Sequence, residues 1–228
     1  MEATVSSVRR ATPSTRILRV RLDDVFTYRA GQVAEIGPEG ATLVPYSIAS
    51  APADTTRDGS IEFLVKIDAR ERWGNHFEPL RRGQRLHVRG PLGRFSFPDD
   101  PTEQDFLFIA GGTGIAPLRG MIRHARATVP GTFRLLYSAR TPLDFAYRRE
   151  LCGMARRKEI ALTLTATRDV TDVWRGERGR IAASQLAALI STPETLCFVC
   201  GPASMVDEVP RMLRRLGIDR SRIRIEEW

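Results

Sequence analysis

Cysteine, histidine and lysine are scarce in this chain of 228 residues, which contains three, three and two of them. Three cysteines, at positions 152, 197 and 200, are too few for a disulfide framework. They are also too few to supply the four thiolates that usually hold an iron–sulfur cluster. The histidines lack the HExxH spacing of a zinc site, so we expect no protein-bound metal.

Long apolar runs are also missing. The best candidate, residues 106–118, is interrupted by three glycines and is shorter than the ~20 residues needed to cross a bilayer. The chain begins Met1-Glu2-Ala3-Thr4, without the basic and then apolar pattern of a secretory signal. The sequence therefore predicts a cytoplasmic protein without a membrane span.

Positive charge is abundant and consists almost entirely of arginine, at 33 of 35 basic residues. The net charge is +8, with +2 in residues 1–100 and +6 in residues 101–228. Genome composition, an anionic ligand or partner, and nucleic-acid binding could each explain this excess. Because there is no long basic run or aromatic-basic motif, we expect no nucleic-acid partner.

The first hundred residues have the periodicity of short strands. In Ile17–Leu22, apolar residues alternate with arginines, as in a strand with one wet face. Turn clusters at residues 51–54 and 56–59 separate similar runs, and a short helical piece is predicted near Trp73–Leu80. The other runs are Gln32–Ile36, Val44–Ile48, Ile61–Ile67 and Gln84–Arg89. Five or six strands at this spacing predict an N-terminal antiparallel β-barrel over residues 1–100.

After residue 100, strand-like and helix-like segments alternate. Phe106–Ala110 is continuously apolar, as in a strand covered on both faces, and a helical stretch follows at Pro117–Ala127. A further strand is predicted at Thr195–Val199, followed by a helix over Ala203–Leu216. This alternation predicts a C-terminal α/β domain with a parallel sheet over residues 101–228.

One glycine-rich motif stands where the first strand of the second half should turn into a helix. Its residues are Gly111, Gly112, Thr113, Gly114, Ile115, Ala116 and Pro117. Glycines let the backbone approach a ligand, and free N–H groups at a helix start favour phosphate. A tight turn without a ligand is the alternative, and the spacing is not that of the GxGxxG fingerprint.

A second motif is Cys197-Phe198-Val199-Cys200-Gly201-Pro202, whose CxxC spacing could indicate a redox pair. We reject that interpretation because residues three apart on a strand point to opposite faces. Cys197 is then a core residue, and Cys200 lies at the end of the strand, beside the glycine-rich turn.

Taken in order, the motifs indicate a family. Tyr46-Ser47-Ile48-Ala49-Ser50, the GGTGxxP motif at 111–117, the CGPxxM motif at 200–205 and Glu226 before the terminal Trp228 stand in that order. With these motifs the chain resembles the ferredoxin–NADP reductase family of flavoenzymes over essentially its whole length. The resemblance implies a flavin-binding barrel, an NAD(P)H-binding α/β domain and FAD as cofactor. FMN is the less favoured alternative, and it arises because Val44 stands where the family has an arginine that pairs with the flavin diphosphate.

The resemblance also implies roles for individual residues. Tyr46 would pack on the flavin ring, Ser47 would bond near its N5 atom, and Trp228 would cover its other face. Ser50, Gly74 and Asn75 would help to hold the flavin phosphates. Cys200 and Glu226 would lie beside the nicotinamide. Gly111, Gly112, Thr113, Gly114, Pro117, Gly201, Pro202 and Met205 would shape the nucleotide site.

One position departs from the family pattern. Val44 stands where the first motif has an arginine that pairs with the flavin diphosphate. Arg72, Arg89 or Arg94 could compensate, because each is close in sequence to a predicted flavin-side loop.

Two arginines bear on the choice of nicotinamide. NADPH carries a 2′-phosphate that favours arginine and hydroxyl groups. Thr167 and Arg168 end one predicted strand and Arg140 ends another, so we favour NADPH over NADH.

The first function hypothesis is an electron-transfer reductase that serves a separate acidic ferredoxin or flavodoxin, since opposite charges speed encounter. A reductase of free flavin or another small acceptor is the second. An electron-transfer subunit without independent turnover is the third.

Overall fold

The computed structural model describes residues 1–67, 80–168 and 173–227. It contains two six-stranded sheets, formed in turn by the first and second halves of the chain. The predicted helical piece near Trp73–Leu80 lies almost wholly outside the described residues. Within the described ranges, no helix is long and apolar enough to cross a bilayer.

The first sheet is antiparallel, as the period-two pattern predicted. Its strands are β1 (Glu2–Thr12), β2 (Thr15–Leu22), β3 (Val33–Pro38), β4 (Val44–Ser47), β5 (Ser60–Lys66) and β6 (Arg85–Leu92), in the spatial order β4-β3-β6-β1-β2-β5. An isolated bridge between Ile48 and Phe63 joins the two outer strands, β4 and β5. The sheet therefore closes into the predicted barrel, with Leu18, Ile36 and Phe63 fully buried in its interior.

Helix α1 (Pro52–Asp58) corrects a sequence prediction, because residues 51–54 and 56–59 were expected to form turns. Pro52 suits the first helical position. The Asp54 carboxylate accepts the Ala51 N–H at 3.3 Å. Gly59 ends the helix in the left-handed region, at φ 60°. These residue types also favour turns, which explains why so short a helix looked like one.

The second sheet is parallel throughout and has the order β10-β9-β8-β7-β11-β12. Its strands are β7 (Asp105–Gly111), β8 (Thr132–Ala139), β9 (Ala161–Ala166), β10 (Glu177–Arg178), β11 (Leu196–Gly201) and β12 (Ile223–Glu227). The helices are α2 (Ile115–Thr128), α3 (Arg148–Arg156), α4 (Ala183–Leu189) and α5 (Ala203–Arg215). The α/β domain with a parallel sheet is confirmed.

Both faces of this sheet are covered, as the continuous apolar run predicted. Phe106 and Phe108 of β7 face one apolar cluster, which includes α2 and α3 residues. Leu107 and Ile109 face another, which includes α4 and α5 residues. Alternation along a strand sends successive side chains to opposite faces, so every β7 side chain from 106 to 109 is buried.

The barrel packs against the parallel sheet through an apolar contact. Phe95 and Phe97, which follow β6, belong to the same buried cluster as Phe108 and Phe198. The Phe97 and Phe198 rings are stacked with centroids 5.7 Å apart. A dry aromatic contact of this kind holds the two halves in one arrangement.

Candidate functional site

The strand order places the two motifs of the second half side by side. β7 lies between β8 and β11, so the order of connections reverses at β7. Ligands of open parallel sheets bind at such a switch point, outside the carboxyl ends of the strands. Gly111 ends β7, Gly201 ends β11, and Ala110 pairs with Cys200.

The glycines of these motifs are required by contact distances. A Cβ on Gly114 would lie 2.2 Å from the Cys200 carbonyl oxygen, and one on Gly111 would lie 2.6 Å from Met205 Sδ. A Cβ on Gly201 would lie 2.7 Å from the same sulfur. The motif at 111–117 and the motif at 200–205 therefore touch, as a single binding element.

The glycine-rich turn presents the start of helix α2. Gly112 has φ +54°, a conformation that glycine adopts without strain. A 3₁₀ turn over Gly112–Gly114 leads into α2, and Pro117 is buried in its first turn. The N-terminal backbone N–H groups of a helix favour an anion, so this turn suits a phosphate.

A cleft of about 660 Å³ extends from this turn between the barrel and the parallel sheet. The predicted residues on its lining are Gly111, Gly112, Thr113, Arg140, Thr167, Arg168, Pro202 and Met205. The barrel contributes its own wall through Thr12, Ser14, Thr15, Leu64 and Lys66. This size falls within the range of small-molecule sites.

Basic side chains follow three adjacent strands along the cleft. The Arg168 N–H donates to the Arg140 carbonyl at 2.8 Å, which joins the ends of β8 and β9. Arg180 follows β10, and its guanidinium donates to Ser204 Oγ at 3.3 Å and to Glu208 at 3.4 Å. Three arginines on one rim favour an anionic ligand.

Sequence reasoning missed Arg180, Ser204 and Lys66. The segment before Arg180 forms only a two-residue strand, too short to show a periodic pattern. Ser204 lies inside the CGPxxM motif, so its neighbours were a signal that could have found it. Lys66 ends β5, on the barrel side of the cleft.

A second group of predicted residues meets at the edge of the parallel sheet. Ser47 ends β4 of the barrel, and Glu226 lies on β12, paired in register with Cys200 of β11. Ser47 Oγ donates to Glu226 Oε2 at 3.5 Å. Three of the four residues predicted at the reacting centre are thus brought together across the two halves. The fourth, Trp228, lies outside the described residues.

Burial raises the pKa values of both acidic groups at this edge of the sheet. Burial raises the pKa of Glu226 to about 7, and the Ser47 hydroxyl only partly opposes that rise. Burial also raises the pKa of the Cys200 thiol far above its usual value, with a contribution from the Glu226 charge. The Cys200 thiol is therefore neutral, and its place beside the nicotinamide stays a prediction. Cys197 is buried on the opposite face, as the rejection of a redox pair required.

Replacing Glu226 with glutamine is expected to change how stability depends on pH. In the wild type the folded state binds more protons than the unfolded state between pH 4.5 and about 7, so the free energy of unfolding falls as pH rises through that window. The variant should lack this fall, so its free energy of unfolding at pH 8, relative to its own value at pH 4.5, should be higher than that of the wild type. Urea denaturation at pH 4.5, 6 and 8 measures these free energies. Parallel curves for the two proteins would contradict the raised pKa.

The remaining barrel residues lie beside this group. Tyr46 is half-buried, and burial raises its pKa to about 12, so its phenol stays neutral. The Ser50 hydroxyl is buried within hydrogen-bond distance of Tyr28 and accepts the Glu62 N–H at 3.1 Å. These bonds fasten the motif to the barrel, and the contact predicted between Ser50 and the flavin phosphates stays a prediction.

The structure shows the surroundings of two of the three arginines that could replace the one missing at Val44. Arg89 is ion-paired with Glu35 across β3 and β6. Arg94 is exposed in the loop after β6. Arg72, Gly74 and Asn75 lie outside the described residues, and their predicted roles stay predictions.

Comparison with known proteins identifies both halves. An oxidoreductase FAD-binding domain model matches residues 2–97, and an oxidoreductase NAD-binding domain model matches residues 108–211. Ferredoxin–NADP reductase B of Sorangium cellulosum is 34% identical over all of this chain and 97% of its own length. The chain belongs to the ferredoxin–NADP reductase-like family of two-domain flavoenzymes. It is therefore an oxidoreductase enzyme.

The chain is also similar to two longer reductases, of which it covers about two thirds. Ferredoxin–NAD(P)(+) reductase CarAd of Metapseudomonas resinovorans is 30% identical, over all of this chain and 69% of its own length. The solved ferredoxin reductase in carbazole 1,9a-dioxygenase is 29% identical with a TM-score of 0.83, over all of this chain and 68% of that one. The domain models establish FAD and a pyridine nucleotide as the ligands of this family.

The site residues fit both ligands. Tyr46 offers a half-buried aromatic face and Ser47 a hydroxyl suited to the polar edge of a flavin ring. Glu226, within hydrogen-bond distance of Ser47, offers a carboxyl suited to the polar side of a nicotinamide. The glycine-rich turn and the arginine rim of the cleft fit the phosphates of a dinucleotide.

Proposed function

We propose that this protein takes a hydride from NAD(P)H and passes the electrons to a separate ferredoxin- or flavodoxin-type carrier. The observation that carries the proposal is the approach of Ser47 to Glu226, residues 179 positions apart, at 3.5 Å. This contact unites the flavin motif of the barrel with the edge of the nucleotide-binding sheet. The reaction needs both ligands at one place, and the closeness of these two motifs supports such a meeting point.

FAD, when bound, would accept the hydride and release electrons to the carrier. The chain's own residues would bind and orient: Tyr46 against the ring, Ser47 at its edge, and the turn at 111–114 against the nucleotide phosphates. Glu226, with its pKa near 7, can hold or release a proton beside the Ser47 hydroxyl at physiological pH. Protein groups of this kind supply orientation and electrostatics, while the cofactor carries the redox chemistry.

The charge of the chain supports an acidic carrier as the partner. Five exposed arginines lie on α5, on β12 or in the segment that joins them, close in the chain to Glu226: Arg211, Arg214, Arg215, Arg220 and Arg224. Opposite charge accelerates encounter, and salt screens it. We also propose the cytoplasm as the compartment of this exchange.

An acceptor panel tests this function. The holoprotein is given NADPH and, in separate assays, an acidic ferredoxin, a flavodoxin, and free flavin. The proposal requires kcat/KM for one protein carrier to exceed that for free flavin and to fall as salt rises from 50 to 500 mM. Turnover with free flavin alone would favour a small-molecule reductase. Binding of both ligands without turnover would favour an electron-transfer subunit.

The arginine rim supports NADPH as the preferred nucleotide. Replacing Arg168 or Arg180 with alanine should lower kcat/KM for NADPH about tenfold or more, because a hydrogen bond to a charged group contributes ~1.5–3 kcal/mol. NADH lacks the 2′-phosphate, so its kcat/KM should change less than threefold. Lys158, which lies outside the cleft lining, provides the control substitution to alanine. Equal losses with both nucleotides would refute the 2′-phosphate role.

A further inference from the structure

Helix α2 rests directly on the backbone of the flavin motif. A Cβ on Gly120 would lie 3.0 Å from the Ser50 carbonyl oxygen and 3.1 Å from that of Ile48. Contacts this short are tighter than most Cβ contacts in proteins, so a methyl group here would push the helix and residues 48–50 apart by a few tenths of an ångström. The helix that begins at the glycine-rich nucleotide motif is therefore seated on the segment that immediately follows Tyr46 and Ser47.

Arg119 stabilises this contact between α2 and the flavin motif. Its Nη1 donates to the Ala49 carbonyl at 2.7 Å and to Glu62 Oε1 at 3.0 Å, and its Nε donates to Glu150 at 2.9 Å. The residue is only 9% exposed. The guanidinium thus spans from α3 of the second domain to the flavin motif of the barrel.

The surroundings of Arg119 hold the guanidinium in one position. Two carboxylates neutralise it, and the Tyr147 ring lies beneath its Cζ at 4.3 Å to the centroid. Glu62 is itself anchored, because its backbone carbonyl accepts the Ala49 N–H at 2.7 Å. A buried cation is tolerated only when it is paired and hydrogen-bonded in this way.

The covalent paths from this contact to the two ligand sites are short. Arg119 stands two residues after Pro117 of the nucleotide motif, and Ala49 stands two residues after Ser47 of the flavin motif. We propose that Arg119 is a positioning residue that sets the nicotinamide site against the flavin site for hydride transfer. This inference rests on the proposed function. Misplacement by about 1 Å can slow such a reaction by 10²-fold.

Arg123 provides a matched control one helical turn further on. It also spans the two domains, donating to Asp54 Oδ2 at 2.8 Å and to Glu150 Oε1 at 2.9 Å. Its barrel partner lies on α1, however, and not in the flavin motif. Replacing either arginine should remove an ion pair between the domains. Only replacing Arg119 should disturb the position of the nicotinamide site relative to the flavin site.

The test compares Arg119→Lys, Arg119→Gln and Arg123→Gln as holoproteins. Stopped-flow reduction by NADPH should give a limiting rate at least tenfold lower for both Arg119 variants, with FAD and nucleotide dissociation constants within threefold of wild type. Arg123→Gln should keep the limiting rate within threefold of wild type, even if its melting temperature falls as far as that of the Arg119 variants. Titration of the oxidised proteins with NADP⁺ should show a weakened flavin difference spectrum only in the Arg119 variants.

A steric variant gives a second test if the Arg119 variants fail to fold. Gly120→Ala retains every charge but pushes the helix a few tenths of an ångström away from the carbonyls of Ile48 and Ser50, so its limiting rate should fall at least threefold. Wild-type rates in a folded Arg119 or Gly120 variant, or an equal loss in Arg123→Gln, would overturn the inference. If the proposed function is wrong, NADPH will fail to reduce the wild-type flavin. The NADP⁺ spectra need no turnover, so they would still compare the variants with wild type in that case.

Discussion

Replacing Phe198 with alanine is expected to lower the free energy of unfolding by about 3–5 kcal/mol, the usual cost of removing a buried phenylalanine. Phe198 has no exposed surface, and its ring stacks on Phe108 with centroids 5.2 Å apart. On its other side it contacts Phe97 at 5.7 Å and Phe95 at 6.2 Å. The cavity would therefore open where the barrel meets the parallel sheet.

Thermal and urea denaturation measure this loss. For a chain of this length the melting temperature should fall by roughly 6–20 °C. Phe198→Leu keeps most of the apolar volume and should lose about 1.5 kcal/mol or less. Val25→Ala, at a side chain 91% exposed, should change stability by less than about 0.5 kcal/mol. A loss below 1 kcal/mol in Phe198→Ala would contradict the aromatic contact between the domains.

Replacing Gly114 with alanine is expected to damage nucleotide binding. The new Cβ would lie 2.2 Å from the Cys200 carbonyl oxygen and 2.6 Å from its carbonyl carbon, so backbone must move. The movement would separate the glycine-rich turn from the β11 end and displace the N–H groups that we propose bind the nucleotide phosphates. We expect kcat/KM for NADPH to fall at least tenfold, equivalent to about 1.4 kcal/mol.

Gly153 supplies the matched glycine control. It lies within helix α3, where a Cβ would make only an ordinary contact of 3.4 Å with Arg157. Gly153→Ala should therefore leave kcat/KM unchanged and gain roughly 0.5–1 kcal/mol of stability from helix propensity. If Gly114→Ala binds NADPH as tightly as Gly153→Ala does, the close contact between the two motifs has no role in the site.

The sequence predicted those parts of the fold that leave a periodic signal. Alternation in Ile17–Leu22 predicted a barrel strand, and the continuous run Phe106–Ala110 predicted a strand covered on both faces. Helix α1 was missed because Pro52 and Gly59 are equally at home in a turn. Short elements contain too few residues for a period to outweigh turn chemistry.

The ligand motifs were predictable, but the contacts between domains were not. Gly111 and Cys200 were expected side by side because parallel strands end at one edge. The contact of Ser47 with Glu226 depends on how the two halves of the chain pack against each other, and no local pattern encodes that packing. Arg119 likewise looks like any helical arginine in a chain with 33 of them.

Anaerobic reduction of the FAD-loaded protein tests the central claim most directly. The purified protein is supplied with FAD, its flavin absorbance is recorded, and NADPH or NADH is added without oxygen. The account predicts one bound FAD, whose absorbance is bleached on reduction by either nucleotide. Half of the bleaching should need a lower concentration of NADPH than of NADH. A folded protein that binds no flavin, or whose bound flavin stays oxidised with both nucleotides, would contradict it.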